Sequence, residues 1–254
     1  MNRKVERSLE YILGVLRTWN SVDTIAMVKS GEDIYDPYFF LSLDVYYRGA
    51  IPDVAERTKL FSETAAFESS RITKKDRFLL SDVPFRLEYK DLDRFDALVR
   101  GAAQSAAALR DSGTYVFHRI VNAQVLVKKT DWIDEARKIL SDLPDAFWQD
   151  LRATLQARME HAFSDLSAAV VRGDELFYLI SSSGFIQSLC NVLFAINHEF
   201  EPSGRMVGDE VQGLRVLPEA FEARFESFLR NGDGVSPDRK RELAELLAKS
   251  VLAL

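Results

Sequence analysis

The sequence is poor in cysteine: Cys190 is the only one among 254 residues, so no disulfide can form within the chain. A reducing, cytoplasmic setting is the expectation that follows. Cys190 lies in an apolar helical pattern, without a basic neighbour that would lower the pKa of its thiol. A small buried hydrophobe is therefore favoured over a nucleophile.

Signature motifs of the common hydrolases, nucleoside triphosphatases and zinc sites are also absent. The chain contains no Gly-rich P-loop, His-Glu-x-x-His, Gly-x-Ser-x-Gly or Cys-x-x-Cys pattern. Its three histidines, His118, His161 and His198, are widely separated and lack metal-ligand spacing. Ordinary hydrogen-bonded roles are favoured for them.

Apolar runs are short, and none approaches the ~20 residues that a membrane span needs. The first residues enter a charged amphipathic helix with no apolar signal core. Acidic residues outnumber basic ones by 39 to 33, a net charge of −6, which argues against broad binding to nucleic acid through its phosphates. We expect a soluble intracellular protein with neither a membrane nor a nucleic-acid partner, and the composition leaves self-association open.

What the sequence does contain is an apolar and aromatic run at Phe39–Tyr47, in which Asp44 is the only charged residue. A strand alternates its faces at every second residue, so Ser42 and Asp44 share one face and the aliphatic residues share the other. A carboxylate in so apolar a strand needs either a counter-charge or a functional role that explains its burial.

A second run, Val83–Lys90, alternates in the same way and sends Arg86, Glu88 and Lys90 to one face. Two neighbouring strands could therefore bring Glu88 and Asp44 together. Carboxylate oxygens that converge on one point suit a hard cation such as Mg²⁺. The alternative is structural: Asp44 forms a salt bridge, and Arg86 and Lys90 are candidates for it together with Arg48.

The first half of the chain reads as mixed helix and strand. An amphipathic helix precedes a strand at 22–28, and a short helix at 53–61 separates the two runs described above. Residues 65–72 are ambiguous, Lys74–Arg77 reads as a solvated basic turn, and a long helix follows until Gly113. Residues 115–128 return to β-branched and aromatic types.

The second half is helical, because no convincing strand pattern follows Trp132. One long helix is expected to end at Gly173, and a more apolar one covers 176–196, with Ser181–Gly184 as a candidate for local softening. The last helix is expected to start at Ser236-Pro237, a cap residue followed by proline at the first helical position. The prediction is an α+β protein, with a mixed-sheet domain over residues 1–129 and an all-helical bundle domain over residues 130–254.

This layout resembles the nucleotidyltransferase superfamily related to DNA polymerase β, in particular the bacterial antibiotic nucleotidyltransferases and their uncharacterised relatives. In that family a first strand ends in Gly-Ser, a loop of about ten residues follows, and the next strand carries Asp-x-Asp; a later strand supplies a third carboxylate. Here Met27–Ser30 ends the first strand, Ser42-Leu-Asp44 stands at the Asp-x-Asp, and Glu88 matches the third carboxylate in position.

The resemblance implies Mg²⁺-dependent transfer of a nucleoside monophosphate from a nucleoside triphosphate to a hydroxyl-bearing small molecule, which the helical domain would select. Such a site clamps two divalent ions roughly 3.5–4 Å apart between its carboxylates. By the resemblance, Asp44 and Glu88 are the catalytic metal ligands. The triphosphate would be held by Lys29, Ser30, Ser42 and Lys90.

Two positions depart from the family pattern. Lys29 replaces the glycine and Ser42 replaces the first aspartate, and a hydroxyl is a poorer ligand for a hard dication than a carboxylate. Either another acid such as Asp33 or Asp36 completes the site, or one metal suffices, or the chemistry has been lost. The alternatives to a transferase are a degenerate member that binds a nucleotide or a protein partner without catalysis, and a regulatory α/β protein in which Asp44 and Glu88 are structural ion-pair members.

Overall fold

The structure is a computed structural model of the chain, and it describes residues 3–30, 36, 39–70, 74–106, 113–230 and 235–254, without the side chains of residues 29 and 30. The chain forms two compact units. The first unit comprises residues 1–101 and 119–142, and the second comprises residues 102–118 and 143–254. The sequence prediction placed a single boundary at residue 129. In the structure, residues 130–142 lie in the first unit and residues 102–118 lie in the second.

A six-stranded sheet forms the first unit, in the order β3-β4-β5-β2-β1-β6. Its strands are β1 (Val22–Ser30), β2 (Phe40–Tyr47), β3 (Ala65–Ser70), β4 (Lys75–Leu80), β5 (Val83–Asp91) and β6 (Gln124–Lys128). Strand β2 pairs parallel with β5 and antiparallel with β1, so the predicted mixed sheet is confirmed. The apolar run with the single aspartate is thus an inner strand.

Helices cover both faces of this sheet. They are α1 (Arg3–Arg17), α2 (Val54–Leu60), α3 (Leu92–Ala102), α4 (Tyr115–Asn122) and α5 (Trp132–Ser141). The boundary between the units falls within two of these helices, because Ala102 of α3 and residues 115–118 of α4 belong to the second unit. Helix α1 buries Leu9, Ile12 and Leu16 in a core with the aliphatic face of β2. On the opposite face, the ring of Tyr46 contacts Phe95 of α3 and Trp132 of α5.

Two expectations were wrong in part. The aromatic and β-branched residues over 115–128 favour a strand, but only β6 at the end of this stretch is one. From Tyr115 the stretch forms helix α4, because a helix places Phe117 and Ile120, three residues apart, on one fully buried face. The basic turn is limited to Lys74, since residues from Lys75 onward form β4, which pairs with β5. Alternate residues of β4, such as Phe78, enter the core.

A buried ion pair anchors β4 to helix α2. The Arg57 guanidinium donates from Nε and Nη2 to the two carboxylate oxygens of Asp76, at 2.8 and 3.1 Å, and Asp76 is fully buried. The Tyr89 hydroxyl donates to the same carboxylate at 2.7 Å, and the guanidinium lies over the Tyr89 ring. These contacts satisfy two charges that would otherwise be costly inside the core.

The second unit is helical, which confirms the α+β architecture. It contains α6 (Asp145–Arg172), α7 (Glu175–Ile196), α8 (Val207–Gln212), α9 (Phe221–Leu229) and α10 (Pro237–Leu252). Helix α6 ends at Gly173, whose φ of 65° is the left-handed conformation that favours glycine. Helix α10 is capped by Ser236, whose hydroxyl accepts the N–H of Arg239. Both ends match the sequence prediction.

Helix α7 runs without interruption, so the softening expected around Ser181–Gly184 does not occur. The Ser181 hydroxyl donates back to the Phe177 carbonyl and leaves the backbone ladder intact. By length and composition this helix could cross a membrane, which corrects the expectation that no apolar run is long enough. That is weak evidence, because the core helix of a soluble protein passes the same test, and α7 buries Phe185 and Leu189 completely.

We predict that Asp76→Asn destabilises the chain by about 3–5 kcal/mol, because it leaves the buried Arg57 guanidinium without a counter-charge. Urea unfolding measures the change. The matched control is Asp82→Asn, which removes a solvent-exposed partner of Lys4 and should cost at most about 1 kcal/mol. Equal effects of the two substitutions would contradict a stabilising role for the buried pair.

Cys190 is predicted to resist thiol reagents in the folded chain. It is fully buried, and burial raises the pKa of its thiol to about 12, so little thiolate forms. A chromogenic disulfide reagent at about pH 8 should label the thiol only after urea is added. Rapid labelling of the native chain would show that α7 opens readily.

Candidate functional site

The two carboxylates singled out from the sequence lie on neighbouring strands. In the parallel register of β2 and β5, Asp44 is opposite Glu88 and Ser42 is opposite Arg86. Residues in register on adjacent strands point to the same side of a sheet. The predicted juxtaposition of Asp44 and Glu88 on one face is therefore present.

Asp44 is already occupied by two cations. Arg119 of α4 donates from Nε to Oδ2 at 2.8 Å and from Nη2 to Oδ1 at 2.5 Å. The Lys90 ammonium lies 2.7 Å from Oδ2, and Arg119 Nη2 also donates to the Ser42 hydroxyl at 2.9 Å. We refer to Ser42, Asp44, Lys90 and Arg119 as the Asp44 cluster.

The Asp44 cluster is buried. Relative exposure is 0% for Asp44, 4% for Arg119 and 7% for Lys90. Arginine suits such a position, because its planar guanidinium makes two parallel hydrogen bonds to a carboxylate and stays charged at any physiological pH. The cluster thus resembles a structural ion-pair network more than an open site.

Charge in the cluster is unequal, with two cations around one carboxylate. Burial alone would raise the pKa of Asp44, but Lys90 and Arg119 outweigh it and hold that pKa below its ordinary value. Burial lowers the pKa of Lys90, and repulsion from Arg119 lowers it further despite the attraction of Asp44. The cluster therefore carries surplus positive charge, which the neighbouring Glu88 partly offsets.

Glu88 also has a partner. The Lys75 ammonium of β4 lies 3.1 Å from its Oε1, and these two residues are opposite each other in the register of β4 and β5. The Glu88 side chain is 15% exposed, so it is more accessible than Asp44. Each predicted metal ligand is thus paired with at least one basic side chain.

As arranged, these residues do not fit a divalent-metal site. Both Asp44 oxygens accept hydrogen bonds from Arg119, and the Ser42 hydroxyl accepts one as well. Within the described part of the chain, no group of three or more acidic, histidine or cysteine side chains is placed to hold a metal ion. Metal binding by Asp44 and Glu88 stays a prediction, and it would require both carboxylates to exchange their present cations for metal.

The predicted phosphate-binding residues lie at the end of β1. Lys29 and Ser30 pair through the backbone with Leu41 and Phe40 of β2, and their side chains lie outside the described residues. Of the two further acids considered from sequence, Asp33 is also outside the described residues and Asp36 is exposed. The triphosphate roles of Lys29, Ser30, Ser42 and Lys90 stay predictions.

Sequence reasoning found Lys90 as a partner of Asp44 but missed Arg119. The other two candidates have different contacts: Arg48 pairs with the exposed Asp93, and the Arg86 guanidinium lies over the Phe40 ring. Arg119 belongs to a stretch whose residue types favour a strand. A strand assignment there gives no reason to place the Arg119 side chain near Asp44. Recognising helical spacing there would have marked Arg119 as a basic residue on a helix that packs on the sheet.

Comparison with known proteins adds information on the fold. A family model described as a domain of unknown function (DUF4037) matches residues 113–205. No functionally curated protein matches the sequence. The solved structure of a nucleotidyltransferase-like protein from Exiguobacterium sibiricum 255-15 superposes with a TM-score of 0.50 and 12% sequence identity, covering 98% of this chain and 74% of that one. At this identity the likeness concerns architecture, and the chain therefore has a nucleotidyltransferase-like fold.

Proposed function

We propose that this chain is a catalytically degenerate nucleotidyltransferase-fold protein, which binds a nucleotide without transferring its nucleoside monophosphate. The observation that carries the proposal is the double hydrogen bond from Arg119 to Asp44. It gives the strand carboxylate an organic counter-ion in place of a metal.

Nucleotidyl transfer depends on metal more than on covalent help from the protein. Divalent ions neutralise the triphosphate and align the attacking and leaving oxygens. A guanidinium fixed to Asp44 neutralises that carboxylate at every physiological pH, but it offers only hydrogen-bond donors and cannot coordinate an attacking oxygen as a metal ion does. With Ser42 in place of a second acid, this face of β2 supplies one carboxylate, and that one is occupied.

Nucleotide binding is assigned to the end of β1. Lys90 and Arg119 are buried, so a triphosphate would not reach them in this arrangement. Lys29 and Ser30 occupy the strand end that resembles the phosphate-binding turn of the family. A lysine there contacts phosphate as a point charge, and backbone N–H groups of a turn hold phosphate oxygens.

Mg²⁺-dependent transfer to a hydroxyl-bearing acceptor is the alternative, and the register of Asp44 with Glu88 favours it. It requires Arg119 to withdraw from Asp44 when metal and triphosphate arrive. The two functions differ in whether metal is needed and whether pyrophosphate is released.

Calorimetric titration with nucleoside triphosphates, with and without Mg²⁺, distinguishes them. We expect Kd to change by less than about threefold on adding Mg²⁺, and no release of pyrophosphate. Lys29→Gln should weaken triphosphate binding, whereas the control Lys59→Gln, at an exposed position of α2, should not. Release of pyrophosphate that requires Mg²⁺ and disappears in Asp44→Asn would establish the transferase instead, and failure of every triphosphate to bind would overturn both.

Asp44→Asn tests the ion pair directly. Removing the carboxylate takes its negative charge away from the buried Lys90 and Arg119 and should destabilise the chain by about 3–5 kcal/mol. Loss of an acid from an empty metal site, where carboxylates repel each other, would stabilise it instead. The control is Asp93→Asn, which removes an exposed partner of Arg48 and should cost at most about 1 kcal/mol in urea unfolding.

The difference in unfolding free energy between wild type and Asp44→Asn has a defined pH dependence. Because the folded-state pKa of Asp44 lies below its unfolded value of 3.8, the stability it contributes is fully present above that value and is lost as the pH falls through the folded pKa. The difference between wild type and Asp44→Asn should therefore stay constant from pH 7 to about pH 4 and shrink only below it. A difference that disappears near neutral pH would contradict the assignment.

A further inference from the structure

The second unit contains an open groove of about 710 Å³, separate from every residue discussed above as part of the nucleotide site. This volume is within the range of small-molecule sites. Side chains of α7, α9 and α10 line it, together with Tyr115 of α4 and the segment 201–204 that follows α7.

Three aromatic side chains contribute to the lining of the groove. Tyr115, Tyr178 and Phe228 all line it, and Ile186 adds an aliphatic surface. Flat rings of this kind receive the apolar body of a ligand, and their faces also attract cations. The amides of two neighbouring α7 residues, Gln187 and Asn191, provide polar groups that can fix orientation.

Glu201 supplies a carboxylate to the same groove, and the chain holds it in place. Its Oε1 accepts the Thr114 N–H at 3.2 Å, while its own N–H donates to the Thr114 hydroxyl at 2.9 Å. Gly113 allows this close approach: its φ is +67°, and an added Cβ would lie 2.0 Å from Oε1. The carboxylate is therefore positioned by the backbone before any ligand arrives.

Among the described residues, no basic side chain lies within ion-pair distance of the Glu201 carboxylate. Burial raises its pKa, and the N–H groups of Thr114 and Tyr115 with the more distant charge of Arg158 only partly offset that effect. A half-buried carboxylate that has no ion-pair partner within the described part of the chain gains most from a ligand that carries a cation. The other charged side chain of the groove, Lys240, lies against the Phe228 ring at 5.7 Å from its centroid.

We propose that this groove binds a small molecule that carries a protonated amine on an aromatic or aliphatic body. Glu201 accepts hydrogen bonds from the ammonium group, and the rings of Tyr115, Tyr178 and Phe228 contact the body. A metal ion is a poorer occupant, because one carboxylate with two amides falls short of the six or more oxygen ligands that hard cations take. The site rests on the second unit alone and is independent of the function proposed for the sheet.

The test is calorimetric titration of the full chain with phenethylamine, which combines one aromatic ring with one primary amine. We expect saturable binding to wild type that weakens by about tenfold or more in Glu201→Gln, because the charge-assisted hydrogen bond is lost. The glutamine oxygen can still accept the Thr114 N–H, so the variant should remain folded, which circular dichroism and thermal unfolding check. The uncharged analogue 2-phenylethanol should bind wild type about tenfold more weakly than the amine.

Two further variants test whether phenethylamine binding depends specifically on the Glu201 charge and on the aromatic lining of the groove. Glu199→Gln removes the same charge two residues away at an exposed position and should leave phenethylamine affinity unchanged. Tyr178→Leu should weaken binding by a factor of about two to five while preserving the preference for amine over alcohol. Absence of saturable binding to wild type, equal binding of amine and alcohol, or an unchanged affinity in Glu201→Gln would each overturn the proposal.

Discussion

The buried contact between Asp44 and Arg119 is the constraint on which the arrangement of the first unit depends. Placing a carboxylate in an inner strand removes it from water, and that desolvation is costly unless the charge is matched by well-aligned donors. Arg119 meets this requirement through two hydrogen bonds, and Lys90 adds a third contact. Helix α4 must therefore lie where its guanidinium reaches β2.

A second buried pair of the same type lies on the other face of the sheet. Asp76 is opposite Leu87 in the register of β4 and β5, so it faces the core that contains α1, and Arg57 of α2 binds it. Among the described residues, each face thus has a guanidinium–carboxylate pair that ties a helix to a strand. Such pairs contribute orientation as well as energy, because a bidentate contact is satisfied in one geometry.

Strand periodicity predicted much of this layout but only part of the site. Alternation in β2 and β5 placed Asp44 and Glu88 on one face, because side-chain direction in a strand follows from sequence spacing alone. The cation that neutralises Asp44 could not be found in this way. Arg119 is 75 residues away, in a segment whose β-branched and aromatic residues favour a strand until tertiary packing makes it a helix.

Asp76 was missed for a related reason, since Lys74, Lys75 and Arg77 surround it and suggested a solvated turn. The pairing of β4 with β5 places Asp76 inside and Arg77 outside, a distinction that depends on register and not on composition. By contrast, helix ends in the second unit were predictable, because Gly173 and Ser236 determine them through local backbone geometry. Local rules give element boundaries, whereas buried charges are satisfied by distant residues.

The interleaving of the two units along the chain affects how the protein is made. The strand that carries Asp44 leaves the ribosome well before Arg119 is synthesised, and α5, whose Arg137 donates to the carbonyls of Ile120 and Ala123, emerges later still. Until residue 142 has emerged, the first unit is incomplete, although residues 102–118 of the second are already outside. A nascent chain of intermediate length therefore has Lys90 as the counter-ion of Asp44 but still lacks the two hydrogen bonds from Arg119.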